Sequence, residues 1–314
     1  MFSEVKNVIL NSEKIAIFNH KNPDGDAFGS AYALKLALCG IGKKCEVFLR
    51  SGDETLPEYE FVFKGEKQNL KIDECDLLIA VDSSDIGRIA DFEDVFKGNT
   101  MAIDHHLTHI PYAKTNLIVP DAAATGEIIY DVLTELKIEI TNEIAHNIYV
   151  AISTDTGNFK FSSTSEKTHL IAAKLLKSGI DVGGISKMIY GTKSIEYLNM
   201  LKTAIEKLSL YANGKIAVLT LDKSDFDKCN IRESDASAIV TLPTDIKGVE
   251  VSIYIRKRPD EIKVSLRSNT DFDVSKIASE FGGGGHKRAS GFSLNNISLT
   301  EAEEKVVSAI MKDF

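Results

Sequence analysis

Along the first half of the chain, short apolar runs take turns with stretches in which apolar residues recur at helical spacing. Lys14-Ile15-Ala16-Ile17-Phe18 reads as a buried strand, and residues 27–39 place apolar side chains on a helical period. Runs at 45–49, 76–82, 100–104 and 116–119 are short and β-branched or apolar, as strands require, and helical patterns follow at 125–136 and 142–153. Strands separated by helices predict a parallel α/β sheet.

A helical pattern at 165–177 stops at Gly179, and Gly183-Gly184 opens a stretch rich in Lys, Met and Tyr that continues to Tyr211. We therefore expect a first domain over 1–183, a linker over 184–212 and a second domain over 213–314. In the second domain, 215–221 reads as a strand. Val251, Ile253 and Ile255 alternate with Ser252, Tyr254 and Arg256, and Ile262, Val264 and Leu266 alternate with Lys263, Ser265 and Arg267. With Arg258-Pro259-Asp260 between them as a turn signal, the two runs predict a hairpin with one polar face. Helical patterns at 273–281 and 300–312 complete a smaller α+β domain.

The 314 residues are 43% hydrophobic and 26% charged, which excludes wholesale disorder and collagen. A net charge of −9 leaves no global positive field to gather long nucleic acid, so a phosphate-bearing partner must be held locally. No run approaches the ~18 apolar residues that span a bilayer, and no membrane association is expected. The start, Met1-Phe2-Ser3-Glu4-Val5-Lys6, has no basic segment followed by an apolar one, so no secretory signal is expected and a cytoplasmic location is. Cys39, Cys45, Cys75 and Cys229 form no CxxC pair and read as buried or idle thiols.

Candidate chemistry sits at the ends of these runs. The first strand leads straight into His20-Lys21-Asn22-Pro23-Asp24-Gly25-Asp26, and the strand at 76–82 ends on Asp82. The strand at 100–104 ends in Asp104-His105-His106, and the helical run through Ile152 closes on Asp155, with Gly157 free to turn the chain. The carboxyl ends of strands are where α/β sheets bind ligands. A single Asp after a strand is often only a helix N-cap. Recurrence of Asp and His at several ends of one sheet is something packing does not require and a metal does.

Competing readings fail on spacing. A calcium loop starting at Asp24 would want an oxygen ligand at its fifth position and Glu at its twelfth, where Phe28 and Lys35 stand. Gly40-Ile41-Gly42 follows a helical pattern and reads as its terminating turn, not as a dinucleotide fingerprint. His109 falls in an expected loop, His146 and His169 lie inside helical patterns, and none of the three is given a role. Arg256-Lys257-Arg258 reads as a solvated cluster, since no aromatic pattern of an RNA-binding sheet accompanies it.

His20-x-x-Pro23-Asp24-x-Asp26, Asp82, Asp104-His105-His106 and Asp155, in this order, resemble the four motifs of the DHH phosphoesterases. Gly282-Gly283-Gly284-Gly285-His286, with Ala289 and Gly291 after it, resembles the signature of the DHHA1 domain. The length and two-domain layout are similar to the branch of nano-RNases and 3′-phosphoadenosine-5′-phosphate (pAp) phosphatases. The large recombination exonucleases carry further domains, family II pyrophosphatases lack the glycine-histidine stretch, and membrane-bound cyclic-dinucleotide phosphodiesterases carry transmembrane and sensory regions.

The resemblance implies an active site in a cleft between the two domains. His20, Asp24, Asp26, Asp82, His105 and Asp155 would hold two divalent cations, whose charge the four carboxylates match and which ionise a water for in-line attack on phosphorus. His106 would contact the scissile phosphate and Asp104 would orient an imidazole. Arg267, Gly284, Gly285 and His286 would bind substrate, with weaker expectations for Lys287 and Arg288. Mixed imidazole and carboxylate ligation favours Mn²⁺ over Mg²⁺ and leaves Co²⁺, Fe²⁺ and Zn²⁺ open. The expected activity is hydrolysis of short 5′-phosphorylated oligonucleotides, linear dinucleotides or pAp, with no binding of long duplex nucleic acid and with homodimerisation left open. The alternatives are a soluble cyclic-dinucleotide phosphodiesterase and a non-catalytic nucleotide- or RNA-binding module.

Overall fold

A computed structural model of the chain describes residues 2–49, 59, 62, 69–89, 91–258 and 261–314. It divides into two compact units, Met1–Thr192 and Lys193–Phe314.

The first unit contains α1 (Phe2–Leu10), β1 (Lys14–Phe18), α2 (Gly25–Gly40), β2 (Lys44–Phe48), β3 (Leu77–Val81), β4 (Thr100–Asp104), β5 (Thr115–Ile118), α3 (Thr125–Glu135), α4 (Asn142–Asp155), α5 (Glu166–Leu176) and α6 (Val182–Ser186). All five strands are parallel, in the order β2-β1-β3-β4-β5. β3 and β4 are buried along their whole length, as their apolar runs require of strands covered on both faces. One face packs Ile15, Ile17, Ile79, Val81, Met101 and Ile103 against α2, α3 and α4. The other packs Ala16, Phe18 and Leu78 with Ile89 and Phe96, and the Phe18 ring lies 4.9 Å from that of Phe92.

The chain leaves β1 toward β2 on one side and returns to β3 on the other, so the direction of winding reverses between β1 and β3. That switch point opens a crevice at the carboxyl ends of the strands. α2 is buried almost all round, which is why its apolar residues show no single stripe. It runs antiparallel to α4 at close range: a Cβ at Gly25 would lie 2.5 Å from Thr154 Cγ2, and one at Gly29 2.4 Å from the Asn147 carbonyl oxygen. Two glycines on one side of α2 thus bring its amino end against the carboxyl end of α4.

The second unit contains α7 (Ile195–Glu206), β6 (Leu208–Tyr211), β7 (Ile216–Leu221), α8 (Lys223–Cys229), β8 (Val251–Lys257), β9 (Ile262–Ser268), α9 (Val274–Glu280), β10 (Gly284–His286), β11 (Ala289–Leu294) and α10 (Leu299–Lys312). Its six-stranded sheet has the order β10-β11-β9-β8-β7-β6, antiparallel except for β7 with β8. Residues 184–212, expected as a linker, hold α7 and β6, and β6 pairs with β7.

The β8–β9 hairpin forms, but its second face is polar only on β9. On β8, Ser252 and Tyr254 are buried, and Tyr254 packs with Leu219, Leu221, Phe226 and Met200 under α7 and α8. Alternation marked the two faces correctly and could not tell that a helical layer covers one strand's outer face. Pro259 and Asp260 of the expected turn lie outside the described residues. Arg256 is not in a solvated loop: it lies in β8 and forms an ion pair with Glu233. The four cysteines are free and none is exposed.

Candidate metal centre

The turn after β1 is built around Asp24. Its side chain caps α2, accepting from the backbone N–H of Asp26 at 3.0 Å and of Ala27 at 3.1 Å. Asp24 is therefore the N-cap that a plain reading expects, and it also stands 3.9 Å from His20 Nε2. Two residues later, about 200° around the helix axis, Asp26 points the other way, 1% exposed. It accepts from Ser30 Oγ at 3.0 Å and from the backbone N–H groups of Thr125 at 2.7 Å and Gly126 at 3.0 Å.

Asp82 follows β3 in the left-handed backbone region at φ 55, which Asp tolerates better than bulkier residues. Its side chain is central. Oδ2 lies 3.7 Å from His20 Nε2, and Oδ1 lies 3.7 Å from His105 Nε2 and accepts from Thr125 Oγ1 at 3.0 Å. Asp155, the last residue of α4, brings Oδ2 within 3.5 Å of His105 Nε2, and Asp26 Oδ2 is 3.8 Å from the same nitrogen.

The two central imidazoles are set in the same way. His20 Nδ1 bonds to the carbonyl of Lys21 at 2.8 Å and His105 Nδ1 to that of Ala122 at 3.1 Å. A carbonyl can only accept, so Nδ1 carries the proton and Nε2 keeps a lone pair facing the carboxylates. His106 differs: its Nδ1 bonds to Asp104 Oδ1 at 2.7 Å and its side chain is 35% exposed.

Three overlapping ligand groups result: Asp82 with His105 and His106 links the other two, which are His20 with Asp24 and Asp82, and Asp26 with His105 and Asp155. Asp82 presents one oxygen to each of the linked two.

The electrostatics are those of a site assembled for cations. Burial, then the charges of Asp82 and Asp155, push the Asp26 carboxyl well above the usual range. Burial and the nearby Asp24 push Asp82 up to about 6, and burial raises Asp155. Burial by itself would raise Asp24, but the interaction with His20 together with the backbone N–H groups of Ala27 and Asp26 holds it low. Three carboxyls disfavoured as anions, facing two imidazole lone pairs, are a poor arrangement by themselves and a good one around positive charge. The donor set thus fits two divalent ions, with His20, Asp24 and Asp82 toward one and Asp26, His105, Asp155 and Asp82 toward the other.

The DHH family N-terminal domain matches residues 14–152, and the DHHA1 domain matches residues 213–313. The chain carries a DHH domain followed by a DHHA1 domain. It is 29% identical over 308 residues to the bifunctional oligoribonuclease and PAP phosphatase NrnA of Thermus thermophilus, covering 95% of this chain and 90% of that one. To the NrnA protein of Bacillus subtilis it is 28% identical over 300 residues, covering 94% and 93%. The crystal structure of an exopolyphosphatase-related protein from Bacteroides fragilis aligns with a TM-score of 0.87 at 27% identity, over 99% of this chain and 95% of that one.

In the DHHA1 domain the register aligns the expected substrate residues. Ala289 pairs with His286 of β10 on one side and with Arg267 of β9 on the other, and residues directly opposite share a face. His286 and Arg267 thus flank Ala289 on one face of the sheet, and His286, Gly284 and Gly285 are exposed. Gly285 needs glycine, at φ +140 with Ala289 O only 2.6 Å from where a Cβ would be, and so does Gly283, whose Cβ would lie 2.3 Å from Gly291 O, whereas a Cβ on Gly284 would meet open space. Lys287 and Arg288 both reach the exposed Asp271, at 3.3 and 3.4 Å, and are engaged there.

Two contributors were missed. Thr125 serves both Asp26 and Asp82, and nothing in its sequence context distinguishes it from an ordinary helix-opening threonine. His109, set aside as a loop histidine, bonds through Nδ1 to Asp104 Oδ2 at 2.7 Å. Its spacing after the double histidine was the available signal.

Proposed function

We propose that the protein is a Mn²⁺-dependent phosphoesterase of the cytoplasm that hydrolyses short 5′-phosphorylated oligonucleotides and pAp. The convergence of four carboxylates and two lone-pair-bearing imidazoles at the sheet's switch point carries this reading. The NrnA relatives, named for oligoribonuclease and PAP phosphatase activity, support the substrate class.

Two bound divalent cations supply Lewis acidity at phosphoryl oxygen and lower the pKa of water. Mixed nitrogen and oxygen donors suit Mn²⁺ better than Mg²⁺. His106, held through Nδ1 by Asp104, offers Nε2 to the scissile phosphate. Because that hydrogen bond raises its pKa, His106 favours the protonated form, which donates to a phosphoryl oxygen. Arg267, His286 and the β10 backbone at Gly284 and Gly285 take further phosphate oxygens, the guanidinium by bidentate contact. A few such groups retain short substrates without a long positive track.

The deciding experiment is turnover of pAp, a 5′-phosphorylated dinucleotide, a five-nucleotide RNA and a cyclic dinucleotide, with Mn²⁺ and after chelation. Mn²⁺-stimulated hydrolysis of the first two supports the proposal. Preference for the cyclic dinucleotide would move the assignment to a cyclic-dinucleotide phosphodiesterase, and no hydrolysis of any would leave a binding module. H286A should raise KM about tenfold or more with little effect on Mn²⁺ affinity; unchanged kinetics would remove the second domain from the substrate site.

A further inference from the structure

We propose that His109 is a positioning residue, pinning the second oxygen of Asp104 so that the first holds His106 toward the substrate. The inference rests on the reading of His106 as a phosphate contact. Asp104 is fully buried, and its Oδ1 already accepts from His106 Nδ1 at 2.7 Å and from the His105 backbone N–H at 2.9 Å. Held by one oxygen, a carboxylate can still swing about its Cβ–Cγ bond. Oδ2 meets His109 Nδ1 at 2.7 Å, which fixes the carboxylate plane and with it the His106 ring.

The slot around His109 is built. The imidazole is 2% exposed and stacks on Tyr112 at 5.4 Å between centroids. Tyr112 donates its hydroxyl to the Ser83 carbonyl at 3.1 Å, and the Ile110 N–H donates to the Ser84 carbonyl at 2.8 Å, tying residues 109–112 to the segment after β3. His109 Nε2 is buried and has no hydrogen-bond partner. A proton there would be an unsatisfied donor, whereas one on Nδ1 is donated to Asp104. An apolar side chain would fill the slot without leaving a buried nitrogen orphaned. What the imidazole adds is the donor to Asp104.

The test uses the full chain with Mn²⁺ and a 5′-phosphorylated dinucleotide. H109L should lower kcat about 10- to 100-fold, as loss of an outer-shell partner does, with KM within about twofold. H109N, which restores an N–H donor, should recover kcat to within about threefold, and H109L in a D104A background should cost less than about twofold more. In ¹⁵N-histidine spectra of the metal-free protein, one Nδ1-protonated ring should vanish in H109N and shift in D104N.

The inference is overturned by a folded H109L with unchanged kcat, by H109N as slow as H109L, or by an equal cost of H109L with and without Asp104. Should H109L fail to fold, H109N kinetics and the spectra decide. An H106A variant with full turnover overturns instead the reading beneath it.

Discussion

Thr125 Oγ1 donates to Asp82 Oδ1 at 3.0 Å while the backbone N–H of the same residue donates to Asp26 Oδ2 at 2.7 Å. The first residue of α3 thus fixes one carboxylate from each of the two linked ligand groups. T125V keeps the backbone donor and removes the hydroxyl. Its Mn²⁺ affinity, measured by isothermal titration calorimetry, should fall about tenfold, and T125S should restore it. Equal affinity in T125V would mean that the hydroxyl has no part in orienting Asp82.

Without metal, the clustered carboxyls make stability depend on pH in an unusual direction. Asp26, Asp82 and Asp155 have raised values, so in the folded chain they bind protons at pH values where the unfolded chain has released them. Stability then falls as pH rises above the ordinary carboxylate range. His20 and His106, also raised, act in the same sense, because their contribution is present below the ordinary imidazole value and lost as pH rises through the folded one. Asp104, held down to about 2, matters only at still lower pH. The chelated protein should therefore melt higher at about pH 5.5 than at pH 7.5, and D82N should flatten the difference. The Asp82 shift alone, from 3.8 to about 6, corresponds to ~3 kcal/mol over the whole carboxylate titration, of which about 1 kcal/mol falls between about pH 5.5 and pH 7.5. Added Mn²⁺ should raise the melting point more at the higher pH, where the ligands are deprotonated. A chelated protein that melts higher at pH 7.5 would contradict this account of the cluster.

The approach of α2 to α4 sets the distance between the Asp24-x-Asp26 turn and Asp155. G29A would place a Cβ 2.4 Å from the Asn147 carbonyl oxygen and 2.9 Å from Ala151 Cβ, so the helices must part. Overpacking of this kind costs ~1–3 kcal/mol. That exceeds the ~1 kcal/mol that alanine gains over glycine in a helix. G29A should melt lower and bind Mn²⁺ more weakly. A rise in melting temperature would show that the helices accommodate the methyl group.

Much of this protein follows from local pattern. The apolar runs of β3 and β4 and the helical spacing of α3 to α5 announce a parallel sheet, because strands covered on both faces need no polar residues. The motif residues His20, Asp24, Asp26, Asp82, Asp104, His105, His106 and Asp155 stand out because uncompensated charge at strand and helix ends has no packing reason. Other features depend on which segments meet. That β8 is buried on both faces depends on α7 and α8, and that Lys287 and Arg288 are engaged depends on Asp271. Only tertiary structure decided that Thr125 joins Asp26 to Asp82. A hydrogen bond between residues far apart in sequence leaves no period or spacing to read, since its partners are fixed by the packing of whole helices and strands and not by their neighbours in the chain.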